Sequence, residues 1–97
     1  MYARVARWEG AEADQIRATA QGINAEAASG PPEGVPAKGL LLLIDPEGGR
    51  SMAISLFATE EDLREGNETL NAMSPPGDGM GQRTSVEMYE VAADLRM

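Results

Sequence analysis

The stretch "GLLLLID", Gly39 to Asp45, holds five consecutive aliphatic residues, and how it is read decides the fold. A half-wet strand would alternate apolar and polar residues; this run does not, so it reads as a strand that wants cover on both faces. "PEGG", Pro46 to Gly49, follows as a tight connection, with Asp45 and Glu47 too few oxygen ligands for a calcium loop. "RSMAISLF", Arg50 to Phe57, then alternates, so Leu40 to Phe57 reads as a hairpin.

Upstream, "SGPPEGVPAK" breaks the chain with prolines and glycines that cannot continue a helix. Before it, "AEADQIRATAQGINAEAA" spaces Ile16, Ala20, Ile23 and Ala27 as one helical stripe, with Glu12 and Asp14 in the first turn where they suit the helix dipole. "MYARVARW" supplies an opening strand, Tyr2 to Trp8. Downstream, "ATEEDLREGNETLNAM" starts with Thr59 and Asp62 in capping-box form and puts Leu63, Leu70 and Met73 on one face. "RTSVEMYEVAA" is a last strand. The order strand, helix, strand, strand, helix, strand predicts an α+β domain spanning residues 1–97. Its expected form is a ferredoxin-like βαββαβ protomer, a four-stranded antiparallel sheet with two helices on one face.

In that arrangement Leu40, Leu42 and Ile44 point one way and Leu41 and Leu43 the other. The helices cover one side. No third layer remains in the chain, so a second copy, closing a two-fold dimer face to face, is the expected cover for the other.

Composition bounds the function. A 97-residue domain buries only about 60 to 65% of the surface of its unfolded chain, so association would help it. Apolar residues at 42% and charged residues at 25% are ordinary for a folded domain. Sixteen acidic against eight basic residues give a net charge of -8, which repels nucleic acid and anionic lipid alike. The longest apolar run falls far short of the roughly 20 residues that span a bilayer, and the N-terminus lacks a signal pattern. A cytoplasmic location is the expectation. There is no cysteine and no histidine, which removes thiolate nucleophiles, His-Cys zinc sites and every triad built on histidine. Glu61, Glu65 and Glu68 lie at helix-neighbour spacings, but Arg64 can pair along that face, and a solvated surface is the reading rather than a metal site. Lys38, the single lysine, falls in a loop and reads as surface.

"SPPGDGMGQR", Ser74 to Arg83, invites a phosphate-loop reading, with Gly77, Gly79 and Gly81 close together. Such a loop leaves a strand and opens a helix. This one leaves a helix and enters a strand, and it lacks the lysine. It reads as connecting chain with the length and glycine content of a lid.

The element order, the size, the junction "SLFATEEDL" and the final "SVEMYEV" strand resemble the dimeric α/β-barrel superfamily, and within it the antibiotic-biosynthesis-monooxygenase-like domains. The resemblance covers nearly the whole chain through patterns of residue type. It implies a homodimer joined sheet to sheet and a pocket in each protomer between sheet and helices. Members that oxygenate aromatic polyketides carry an Asn on the first strand and a Trp where the third strand meets the second helix; haem-degrading members add a His. Here the first strand offers Arg4 and Ala6, the junction offers Phe57, and no His exists, which rules against haem degradation of that type.

Two readings follow. In the first, the chain is a cofactor-independent oxygenase, isomerase or cyclase of an aromatic or polyketide-like small molecule. Arg4 and Tyr2 are then the catalytic candidates, Arg4 steadying an enolate, and Trp8, Asn24, Phe57 and Tyr89 are the ligand-binding candidates. No metal and no cofactor is called for. In the second, the chain is a non-catalytic dimer that binds a small ligand or another protein. Arg4 is also placed to meet Glu87 or Glu90 across the first and last strands, a structural pairing.

Overall fold

A computed structural model describes residues 1–30, 34–72 and 80–95. Six elements follow in the expected order: β1 (Tyr2–Glu9), α1 (Ala13–Ala27), β2 (Gly39–Asp45), β3 (Arg50–Phe57), α2 (Glu60–Ala72) and β4 (Gln82–Glu90). The four strands form one sheet in the order β2-β3-β1-β4, every neighbouring pair antiparallel. Each helix therefore crosses over one intervening strand, from β1 to β2 and from β3 to β4. The right-handed rule for such crossovers puts both helices on the same face. The fold is α+β and compatible with the ferredoxin-like arrangement.

Local chemistry fixes the element ends. The Glu12 backbone N–H donates to the Gln15 side chain at 3.3 Å, which sets the start of α1 one residue later than its acidic run suggests. At α2 the Asp62 N–H donates to Thr59 Oγ1 at 3.1 Å, the N-cap bond that the Thr59-to-Asp62 spacing predicts. In the β2–β3 turn Asp45 accepts the Gly48 N–H at 3.1 Å and pairs with Arg50 at 2.8 Å, so one carboxylate holds both the turn and the strand that leaves it.

A core of Val35, Phe57 and Leu63, flanked by Tyr2, Ala37 and Leu70, sits between α2 and the sheet. Phe57 is fully sealed, and it reaches that position because α2 presents a glycine there. A Cβ on Gly66 would lie 2.6 Å from Phe57 Cζ. Of the described side chains on α1, Ile16 is fully buried, and Ala20 and Ile23 are half-covered.

The cover of β2 departs from expectation. The helices were expected to close its inner face, yet Leu40 is 46% exposed and Ile44 is exposed too. α1 packs along β2 with a stripe of mostly small side chains, too short to reach both residues. On the outer face Leu41 is 54% and Leu43 49% exposed.

Strand register sorts every other position. Tyr2, Arg4 and Ala6 of β1 share the helix side with Ser51, Ala53, Ser55 and Phe57 of β3, because Phe57 packs on α2 and partners point to the same side. Val5, Met52, Ile54 and Leu56 face away. Around the centre of the sheet the small and polar residues thus lie under the helices, and the large aliphatic ones lie on the open face. A one-sided domain normally has the reverse distribution.

Candidate functional site

The groove on the helix side lies between α2 and the sheet margin formed by β1 and β4. It measures about 390 Å³ and is lined by Tyr2, Leu63 and Met88, with Glu60, Arg64 and Glu90 at its lip and Tyr89 at its rim. It exists because α2 sits over β1 and β3 and leaves β4 bare on that side, so that Met88 remains half exposed. Arg4 is the register partner of Met88 and lies two residues along β1 from Tyr2, about 7 Å further on.

Arg4 is 5% exposed. Its Nε donates to Asn67 Oδ1 at 2.9 Å and its Nη2 to Asn71 Oδ1 at 3.0 Å. Arg83 Nη1 donates to the same Asn71 oxygen at 3.0 Å. Burial, and after it the neighbouring Arg83 charge, pull the Arg4 guanidinium below its ordinary value. Neither arginine has a carboxylate within ion-pair distance among the described residues. The expected pairing of Arg4 with Glu87 or Glu90 is therefore replaced: Arg4 turns under the helices, and Arg7, on the open face, takes Glu87 at 2.9 Å.

The other sequence candidates scatter. Tyr2 packs on the core and lines the groove. Tyr89 projects to the groove rim and donates its hydroxyl to Glu87 at 2.5 Å, which joins it to the open-face cluster. Phe57 is sealed in the core and lines neither groove. Asn24 is exposed on α1, away from Arg4 and Tyr2. Trp8 belongs to a second groove of about 340 Å³ at the turn end of the sheet, with Arg7, Leu43, Asp45, Arg50 and Met52. The structure thus puts Tyr2 and Tyr89 on one groove with Arg4 two residues further along β1, outside its lining, and it separates Trp8, Asn24 and Phe57 from them. Sequence reasoning missed Asn67 and Asn71. Their signal is the spacing of four, which stacks two amides on one side of α2.

Residues 74–79 of the glycine-rich segment fall outside the described residues, and with them the lid reading. Its flanks keep the order helix then strand, since α2 ends at Ala72 and β4 begins at Gln82. Among the described residues no group of three or more Asp or Glu side chains is placed to hold a metal ion, and no helix is long and apolar enough to cross a membrane.

Among the described residues Asp45 and Glu87 are perturbed. Arg50, and then the Gly48 N–H, hold Asp45 below the ordinary carboxylate range; the Tyr89 hydroxyl, and then Arg7, do the same for Glu87. Glu87 in turn holds the Tyr89 proton and raises that hydroxyl above its usual value. A depressed carboxylate contributes stability above its unfolded-state pKa, and that contribution is lost as pH falls through the folded-state value. Carboxyl-detected NMR titration should show both groups titrating late on acidification. Arg50→Met should return Asp45 toward the ordinary range and leave Glu87 in place. A wild-type Asp45 titrating at its ordinary value would contradict the turn geometry.

No protein-family model matches the chain, and no curated protein matches it with significance.

Proposed function

We propose that the chain is one subunit of a dimeric α/β barrel of the antibiotic-biosynthesis-monooxygenase-like kind, and that the groove beside α2 receives an aromatic or polyketide-like small molecule. The observation that carries this reading is the inverted sheet. Exposed Leu41 and Leu43, with half-buried Met52, Ile54 and Leu56 beside them, form an apolar face on the side of the sheet away from the helices. A second copy applied about a two-fold axis would turn that face into a core. Arg4, Ser51 and Ser55, buried on the helix side, give the protomer a polar interior, which suits a ligand better than it suits packing.

Within the groove Tyr2, Leu63 and Met88 supply flat and apolar contact for a ring. Arg4, two residues along β1 from Tyr2 and outside the groove lining, would be the residue that stabilises an enolate as charge develops on the substrate. Oxygenation without a cofactor draws all four electrons needed to reduce O2 from the substrate: a methylene becomes a carbonyl, one atom of O2 is retained and the other leaves as water with the two methylene hydrogens. A second reading, a dimer that binds without turnover, draws on the same arginine, because Asn67 and Asn71 already hold it and a binding site needs no more than that.

Light scattering on the purified chain tests the assembly: the expected mass is twice the protomer, and Leu43→Glu, a charge on the exposed margin of the open face, should halve it while the far-UV spectrum is retained. A folded wild-type protomer at micromolar concentration sinks the dimer. Oxygen uptake with a polycyclic phenol separates the two readings. Turnover in the wild type that vanishes in Arg4→Ala supports the oxygenase; equal uptake in both removes Arg4 from the chemistry.

A further inference from the structure

We propose that Arg4 and Arg83, framed by the side-chain amides of Asn67 and Asn71, form a carboxylate-binding site at the inner end of the α2 groove, so that the natural ligand is an apolar molecule bearing an acid group. The proposal deepens the groove reading and does not depend on the dimer, since all four residues belong to one chain.

The donor count is the first argument. A guanidinium carries five N–H groups, and the amide contacts use Nε and Nη2 of Arg4, which leaves its Nη1 with no acceptor among the described residues. Arg83 contributes only Nη1 to Asn71. Among the described residues Asn67 Nδ2 donates to no acceptor, while Asn67 Oδ1 accepts from Arg4 and, at 3.4 Å, from Asn71 Nδ2. The cluster therefore holds spare donors on three side chains linked through the same two amide oxygens, and an anion is the ligand that could accept from them.

Charge gives the second argument. The chain has twice as many acidic as basic residues, and Arg7, Arg17, Arg50 and Arg64 each have a carboxylate partner. At Arg4, the most buried of the described arginines, the partners are neutral amides. Two neighbouring guanidiniums on neutral acceptors keep a local positive potential that an Asp or Glu at either position would cancel. Burial raises the worth of that potential, because water screens it less.

The third argument is continuity. Arg4 follows Tyr2 and faces Met88 on the sheet side, while Asn67 follows Leu63 by one helical turn on the other. None of the four residues lines the groove itself; Arg4 stands two residues beyond Tyr2 on β1 and Asn67 one turn beyond Leu63, so the apolar lining leads toward the arginine pair. Tyr2, Leu63 and Met88 would hold the body of the ligand and the arginines its acid group. Inorganic phosphate, which has no body, would gain only the second half of the site. The competing explanation is that the arginines serve the C-terminal end of α2, which carries no basic residue in its last turn.

The test uses 2-naphthoate, its neutral methyl ester and inorganic phosphate, titrated calorimetrically into the intact protein. Saturable binding of one naphthoate per chain is expected, with the ester and phosphate each at least about tenfold weaker. Arg83→Gln, at an exposed position, should weaken naphthoate by about tenfold and leave the ester unchanged. Asn67→Asp supplies Arg4 with its own carboxylate; it should abolish naphthoate binding while the melting temperature holds or rises. No naphthoate binding to the wild type, equal affinity for acid and ester, or an Asn67→Asp protein that binds as the wild type does would each overturn the site and leave only the helix-end role. A chain that scatters as a monomer and still binds naphthoate would remove the dimer and keep the site.

Discussion

Phe57→Ala should cost about 3–5 kcal/mol of folding stability, a large share of the roughly 5–15 kcal/mol that holds a small domain together. Phe57 is fully sealed, and it joins β3 to Val35 and to Leu63 of α2, so its removal empties the centre of the α2 core. The same residue was a ligand-binding candidate on sequence grounds, and the two roles separate in experiment: a core role lowers the urea midpoint whether or not a ligand is present. Gly66→Ala sharpens the point. A methyl group there meets the Phe57 ring, a crowding that costs about 1–3 kcal/mol, against about 1 kcal/mol gained from better helix propensity. In the wild-type background the net is a loss. In the Phe57→Ala background the obstacle is gone, and the same substitution should stabilise. A double-mutant cycle in urea reads this reversal of sign, and additive effects would show that α2 does not rest on the ring.

Gly81→Ala is the second large effect, expected at about 2–5 kcal/mol. Gly81 has φ +81°, a backbone setting that disfavours side chains, and it leads into β4 against the far end of β1. A Cβ there would collide with the Glu9 carbonyl and lie 2.8 Å from the Ala11 nitrogen. Both obstacles are backbone and cannot rotate aside. Gly10→Ala is the control: its φ is +92° with nothing within 4 Å of the added atom, so it should lose only the conformational part, about 1–2 kcal/mol. Equal losses in thermal melts would mean that the contact at Gly81 relaxes freely.

The element order was legible because the signals are local. Alternation in Arg50 to Phe57, the Thr59 cap and the proline-glycine breaks each depend on neighbours in the chain, and each falls within a residue or two of its observed place. Partners across the sheet and between layers were not legible. Alternation places Arg4 on one face of β1 but does not say whether that face lies under the helices. That assignment comes from register. The register of β1 against β4 shifts between Arg7 and Trp8, an irregularity with no signature in the sequence. Arg4 was expected among the β4 carboxylates, but in the observed register Met88 stands opposite it, and the nearby Arg7 holds Glu87. Asn67 and Asn71 escaped for a related reason: an amide pair on a helix reads as solvated surface until a buried cation is seen beneath it.

Because β2 closes one side of the sheet, its outer backbone groups have no strand to bond to, and the segment that presents them is Leu40 to Ile44. Five aliphatic residues on an unprotected margin make a template for amyloid-like stacking, and the only charges bracketing it are Lys38 and Asp45. Acid removes the second of these gatekeepers, so storage below the carboxylate range should convert this chain to fibrils that seed from its most leucine-rich segment.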